Sequence, residues 1–496
     1  MDTPSKHTAC SISFFKRNEL DYIVVALLTL LIFFIAIKSF GLGITNDSVN
    51  YLSAAQSFPQ GLNKADGSPY TEWPPLFPVL LSIAHIVHLD LLSFSVLFQG
   101  IVLISINLIA LYILKTNLQS RPILCLGIIL LIFSAPVLQM HVMLWSEPFF
   151  LLLILLNLII LKHYLSTLHL KFFILLIGLG MLMYLQRKTG IVFIASTAVL
   201  LFLLIKQKRK GFLFSLLYLM PCAIPIYLWY NRRFKIAGQL LGEGEFKPDS
   251  FSTILEQLAH TFSSYFLPSA IPLIYRIIFL AILFLIVSAA ILKSRKIKDL
   301  LINNFYFKAS FFIIISYYAA LLLLLVYIQI DDKVDDRILA PAYLPLFLSG
   351  MILVDSFYAK LKIPIFLLLL GVWLLYPLVR TGYHLYRWNT SGTGGYNSIS
   401  WSENKIISHY LSSKSEQDTL FTNSIYPLKY FLNFKAGKKF IILPQKAILK
   451  GKVMGQLICF PAEWVYPYEK CLGDNIVEKK QLLKNEHGKI WLLNNP

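Results

Sequence analysis

Four places along this chain set ionisable side chains beside long apolar runs. They are Asp47 in "ITNDSVNY", Glu147 in "LWSEPFF", Arg187 and Lys188 in "LQRKTG", and the run "DDKVDDR" that ends in Arg337. Charges at membrane depth are costly, so those present there are functional candidates. Their types suit group transfer at an anionic lipid. A carboxylate such as Asp47 can serve as general base. Arg187, Lys188 and Arg337 can stabilise charge on a leaving phosphate, arginine through a bidentate fork and lysine as a point charge. Glu147 can orient an acceptor, bind hydroxyls or help hold a divalent cation. Each also has a plain structural reading. Asp47 can cap a helix that opens at it, and Glu147 can cap its own helix with Pro148 at the first helical position. Arg187 and Lys188 can snorkel, and Arg337 can pair with the acids beside it. Those readings leave unexplained why all four places fall on one side of the membrane.

The elements that must position them are membrane spans. The chain has 496 residues, of which 57% are hydrophobic and 14% charged, and apolar runs long enough to cross a bilayer recur along it. Eleven are expected, at 21–42, 94–114, 122–138, 149–161, 172–185, 191–205, 212–230, 271–292, 310–330, 338–354 and 365–378. The first lacks a small-residue cleavage site and reads as a retained signal anchor with a cytosolic N-terminus. The formal charge of +19 sits in short loops such as "KQKRK" and "KSRKIK", a positive-inside pattern rather than a nucleic-acid surface. A further apolar stretch, 76–89, is too short to span. The charge bias places it in or re-entering the outer interface, within a first external loop at 43–93.

The spans end near Arg380, so residues 1–380 form the membrane domain. Residues 381–496 begin with the loop "SGTGGYN" and alternate helix and strand signals: helix at 403–411, strand at 419–422, helix at 427–434 and strand at 440–443. A small external α/β domain is expected. Among five cysteines, Cys459 and Cys471 are the pair that a disulfide could join. His85, His88 and His141 lack zinc-site spacing.

Asp47, the aromatic and proline-rich "YTEWPPLFPVLL" that follows it, and Glu147 in "SEPF" occur in an order that resembles the GT-C superfamily of polytopic glycosyltransferases, namely the bacterial relatives of protein mannosyltransferases and of the aminoarabinose transferases that modify lipid A. The resemblance covers most of the chain, including an external α/β tail. Where many relatives carry two adjacent acids, this chain has Asn46 beside Asp47.

The resemblance implies a mainly α-helical GT-C-like fold and transfer of a sugar from a polyprenyl-phosphate donor to a lipid, glycan or protein acceptor on the outer face of a bacterial inner membrane. Asp47 would be the base and the anomeric carbon would invert. Arg187, Lys188 and Arg337 would meet the donor phosphate, while Glu72, Tyr51 and Trp73 would line the sugar pocket. A divalent cation, Mg or Mn, is an open cofactor. The competing readings are a transporter or flippase of lipid-linked saccharides and a polysaccharide polymerase or ligase. No inverted repeat favours the transporter.

Overall fold

A computed structural model describes residues 19–238, 251–327, 334–361, 364–412, 419–438, 441–442, 454–460, 479–485 and 488–494. Every expected apolar run holds a helix. They are α1 (Glu19–Ile37), α5 (Leu91–Asn117), α6 (Arg121–Ile132) continued by α7 (Ala135–Val142), α8 (Glu147–Thr167), α9 (Leu170–Gln186), α10 (Gly190–Leu204), α11 (Lys208–Ala237), α13 (Leu273–Lys293), α15 (Phe305–Tyr327), α16 (Asp336–Leu361) and α17 (Pro364–Thr390). Among the described residues nine helices, counting α6 and α7 as one, are long and apolar enough to span a bilayer, while α9 and α10 are shorter. The chain is therefore a multi-pass helical membrane protein. The break between α6 and α7 falls at Ser134, just before Pro136, whose ring has no N–H to continue the ladder.

Polar pairs tie the spans together. Asn107 Nδ2 donates to Thr29 Oγ1 and Asn157 Nδ2 to Thr197 Oγ1, each at 2.9 Å, the interhelical hydrogen bonding that holds helices where lipid is as apolar as leucine. At the end away from the candidate residues, buried Asp355 accepts from the free N–H groups of Gln119 and Ser120 at 2.9 and 3.0 Å.

Outside the spans, α2 (Asn46–Ser57) leads the first loop, followed by α3 (Leu76–Leu81) and α4 (Ile83–Ile86), which split the short apolar stretch at Ser82. Two helices differ from expectation. The segment after 238 includes α12 (Phe251–Ser263), and the basic "KSRKIK" loop leads into α14 (Arg295–Asn303). In α14, Ile297 and Leu301 are buried. Their i, i+4 spacing gives a one-sided apolar stripe.

Beyond α17, strands β1 (Gly392–Gly394) and β2 (Asn397–Ser398) form a hairpin, followed by α18 (Ile399–Ser402) and α19 (Lys405–Ser412). Then come β3 (Thr419–Thr422), α20 (Ile425–Leu428) with a π-helical extension over Lys429–Lys435, β4 (Ile441–Ile442), β5 (Met454–Cys459), β6 (Lys479–Asn485) and β7 (Gly488–Asn494). The sheet order is β4-β3-β5-β7-β6, parallel on the β4 side of β5 and antiparallel beyond it. Cys459 is buried, and its expected pairing with Cys471 lies outside the described residues.

The "GTGGYN" segment grips the start of the first loop. Ile44 N–H donates to Gly394 O at 3.2 Å and Tyr396 N–H to Ile44 O at 2.8 Å, while on the other side Gly43 N–H donates to Val142 O at 2.8 Å and Leu144 N–H to Gly43 O at 2.9 Å. Asn397 Nδ2 adds a 2.6 Å bond to Leu42 O. Three distant segments thus share one short ladder around residues 43–44. Gly395, at φ +58°, passes so close that a Cβ there would lie 1.9 Å from Ile44 O. Gly395→Ala should therefore destabilise the protein by about 1–3 kcal/mol, read as a lower unfolding temperature in detergent, whereas Gly371→Ala, with nothing within 4 Å, should leave it unchanged.

Candidate active site

The ladder at 43–44 delivers the chain directly into α2. Thr45, not Asp47, is the N-cap: it and Ser48 form a reciprocal capping box, with Thr45 N–H donating to Ser48 Oγ at 3.0 Å. The expectation that Asp47 caps the helix is thereby corrected. With Thr45 and Ser48 satisfying the free N–H groups, the Asp47 carboxylate is left to act elsewhere. It accepts from Arg337 Nη2 at 2.7 Å through Oδ2. Arg337 is its ion-pair partner among the described residues.

Glu147 is the first residue of α8 and has no solvent exposure. Its side chain makes no cap, which corrects the second capping expectation. Instead Oε1 accepts from both Arg337 Nε and Arg187 Nη1. Two acids from α2 and α8 and two guanidiniums, one from the α9–α10 turn and one from α16, thus form a four-member chain with zero net charge: Asp47, Arg337, Glu147, Arg187. Gln186 Nε2 donates to Ser146 O at 2.7 Å and Arg187 Nη1 to Ser146 Oγ at 3.3 Å, which fixes the turn against the start of α8.

Trp145, whose position before a span suggests headgroup level, packs inside the protein. It is buried at 8% exposure, with the Arg337 guanidinium 4.7 Å over its ring and its indole N–H donating to Thr45 Oγ1 at 3.2 Å. The aromatic face adds a cation–π attraction to the pairing and links the cap of α2 to the arginine.

Arg337 does not turn its side chain to its neighbouring acids, which corrects the local pairing reading. Asp335 accepts instead from the N–H groups of Arg337 and Ile338 at 2.9 and 3.2 Å, starting α16. Asp336 points the other way, to Arg380 Nη2 on α17 at 2.9 Å. Tyr317 on α15 donates to Ile338 O at 2.6 Å. Consecutive residues at this helix start are thus held from three directions, and Arg337 is aimed at the two acids. The first part of the acidic run, 331–333, lies outside the described residues.

Other expected residues surround this centre. Tyr51, one turn after Asp47, is 2% exposed and packs edge-on against Phe77 and Trp73 at 5.0 and 5.8 Å, with its hydroxyl 3.5 Å from Ser146 Oγ. It forms a floor beneath the acids. Glu72 is 44% exposed and paired to Lys64 at 2.9 Å. Lys188 is half-buried and makes no ion pair among the described residues. Burial first, and Arg233 next, push its ammonium down to about 8, with Glu72 opposing. The sequence reading passed over Arg232 and Arg233, which end the seventh apolar run on the same side. Arg232 Nη1 donates to Tyr70 O of the first loop at 2.6 Å. His141 is a packing residue, buried with Nδ1 2.7 Å from Val137 O.

No group of three His, Cys, Asp or Glu side chains gathers among the described residues, and the gap between the two acids is already filled by Arg337. Asn46, where a second acid would add a ligand, accepts instead from the Tyr396 hydroxyl of the C-terminal unit.

No family model matches the chain, and no curated protein sequence matches it. Solved structures do. ArnT from Cupriavidus metallidurans in the apo state aligns over 95% of this chain and 97% of its own, with TM-score 0.58 and 10% identity. ArnT from the same organism bound to undecaprenyl phosphate aligns over the same shares with TM-score 0.59 and 10% identity. The arabinosyltransferase EmbB from Mycobacterium smegmatis matches at TM-score 0.35 and 12% identity, over 81% of this chain and 44% of its own. The chain thus has the fold of ArnT along nearly its whole length.

Removing one member of a buried ion network strands the others. Arg337→Gln should cost up to about 3–5 kcal/mol, while Glu147→Gln combined with Arg337→Gln should cost less than the sum of the two single changes. A double-mutant cycle on thermal unfolding in detergent measures this coupling.

Proposed function

We propose that the chain is a membrane glycosyltransferase that moves a sugar from a polyprenyl-phosphate donor to a cell-envelope acceptor. The observation that carries the reading is the convergence of Asp47 and Glu147 on Arg337 at one end of the bundle, in a fold shared with a protein seen with undecaprenyl phosphate bound. A transporter needs charge along a path through the membrane; here the acids gather at the mouth.

Asp47 is the general base. Arg337 engages Oδ2, which leaves Oδ1 to take the proton from the acceptor hydroxyl or amine. The acceptor then attacks the anomeric carbon opposite the phosphate, the glycosidic C–O bond breaks, and the polyprenyl phosphate leaves with the bond's electron pair. The product is inverted. Glu147 keeps Arg337 in place and so positions the base. Lys188 answers charge developing on the leaving phosphate, while Arg187, paired to Glu147, holds that carboxylate. Trp73 and Glu72 stand at the loop edge, where an aromatic face and a carboxylate suit a sugar ring. The site end is read as extracytoplasmic and the N-terminus as cytosolic, in the inner membrane of a bacterium.

Transfer of labelled sugar from a panel of undecaprenyl-phosphate sugars to envelope acceptors tests the reading. Asp47→Asn should lower kcat by about 10²- to 10⁴-fold with donor binding retained; unchanged turnover in that variant removes Asp47 from the chemistry. Chelation with EDTA should leave the rate unaltered, because a guanidinium stands between the acids. Lys188 is a cation only below about pH 8, so the KM for donor should rise between pH 7 and pH 9 as that charge is lost. Lys188→Gln should flatten the rise.

A further inference from the structure

Arg337 keeps its place between Asp47 and Glu147 only if the first turn of α16 is held, and that turn is short of hydrogen bonds of its own. Pro341 and Pro345 lie inside α16. Pro341 has no N–H to give the Arg337 carbonyl four residues earlier, so the ladder bond that would tie that carbonyl to the next turn is missing. The hold comes from other elements instead. Val334 N–H donates to Gln257 Oε1 at 3.0 Å and Val334 O accepts from Thr261 Oγ1 at 2.9 Å, both on α12. Tyr317 on α15 donates to Ile338 O.

Arg380 is the charged member of this set. Its Nη2 donates to Asp336 Oδ2 at 2.9 Å and its Nη1 to Ser264 O at 2.8 Å, just past the end of α12. One guanidinium thus joins α17, the end of α12 and the first turn of α16. The Ser264 carbonyl is itself fixed, accepting from the Tyr376 hydroxyl at 2.5 Å, and Trp373 Nε1 donates to Phe266 O at 2.9 Å. Arg276 on α13 pins the same helix end, donating to His260 O and Ser263 Oγ at 3.2 and 3.0 Å. The Asp336 and Arg380 side chains are 17% and 16% exposed, and a buried pair is a poor stabiliser beside an apolar packing of the same volume. What the pair offers is direction. Consecutive residues on a helix point about 100° apart, so a hold on Asp336 sets the line along which Arg337 leaves the helix.

We propose that Arg380 and Asp336 are positioning residues: their pair, backed by the end of α12, fixes the rotation of the first turn of α16 and so keeps the Arg337 head between the two acids. Neither residue touches the reacting atoms. The consequence for turnover rests on the glycosyltransferase reading; the hold on Arg337 does not. With the pair broken, Arg337 is free to swing off Asp47, and a displacement of about 1 Å in a positioned group costs about 10²-fold in rate.

The test is a double-mutant cycle on the full-length protein, read first by thermal unfolding in detergent. Arg380→Gln and Arg337→Gln should each lower the melting temperature, and the drop in the double variant should fall well short of the two single drops added together. Asp355→Asn, the loss of a buried acid at the far end of α16, should add to Arg337→Gln in full. Additive drops for Arg380→Gln overturn the proposal whatever the reaction is. Transfer of labelled sugar is the second readout. Arg380→Gln and Asp336→Asn should lower kcat about 10- to 100-fold with the KM for donor unchanged, and Arg380→Lys less, because lysine keeps the charge without the fork. On the Arg337→Gln background, Arg380→Gln should slow transfer no further. Equal slowing on both backgrounds makes the pair merely structural and overturns the proposal, as does an unchanged kcat in Arg380→Gln. A wild type that transfers sugar from no donor overturns the glycosyltransferase reading, and the unfolding cycle then decides the pair by itself.

Discussion

A carboxylate with no solvent exposure stays charged only if cations reach it, and Glu147 is reached by two. That requirement organises the site end of the molecule. Arg187 comes from a turn between two short helices, Arg337 from the start of α16, and both must arrive within hydrogen-bond range of one residue at the start of α8. The N-terminus of α8 adds a favourable partial charge. An apolar packing of the same volume would hold the helices at least as well. The network is therefore better explained by what the charges do than by stability, and its free end is Asp47.

The way Arg337 is aimed shows how much surrounding structure this arrangement requires. Its two neighbours face elsewhere, Asp335 to the backbone of the helix start and Asp336 to Arg380. Its planar head lies on Trp145, whose N–H reaches the cap of α2. The C-terminal unit closes the same circuit from outside: Gly394 and Tyr396 pair with Ile44, and Tyr396 also takes up Asn46. The residues on both sides of Asp47 are thus fixed by segments about 100 and 350 positions away, which holds the carboxylate without engaging it. The C-terminal unit accordingly contributes to the geometry of the candidate site.

The spans were legible because bilayer thickness sets their length, and a run of apolar residues carries that length openly. The strand at 419–422 and the helices around it were legible for a similar reason, as short alternating patterns between turn residues. Roles at helix starts were not. Asp47 follows Thr45 and Asn46, any of which is a good cap, and only the reciprocal bonding of Thr45 with Ser48 decides among them. Arg337 has two acids immediately before it, yet its partners lie 190 and 290 residues away, and no local pattern encodes such a pairing. Arg233 left a weaker trace. "YNRRF" ends an apolar run on the side assigned few cations, and its departure from the charge bias was the available signal.

Two cationic groups at one site can divide the electrostatic work. The four-member chain is neutral within itself, two acids against two guanidiniums. If the donor phosphate drew on Arg337, Asp47 and Glu147 would lose their shared counter-ion at the moment the base is needed. Lys188 lies outside that chain and makes no ion pair among the described residues, so a phosphate that it meets in the proposed reaction would be answered without disturbing the carboxylates. In the proposed reaction the base would then stay ionised with the donor in place, and the leaving group would depart toward charge that the base does not use. Separate sets of cations would allow a low-dielectric site to support proton abstraction and phosphate departure together in the proposed reaction.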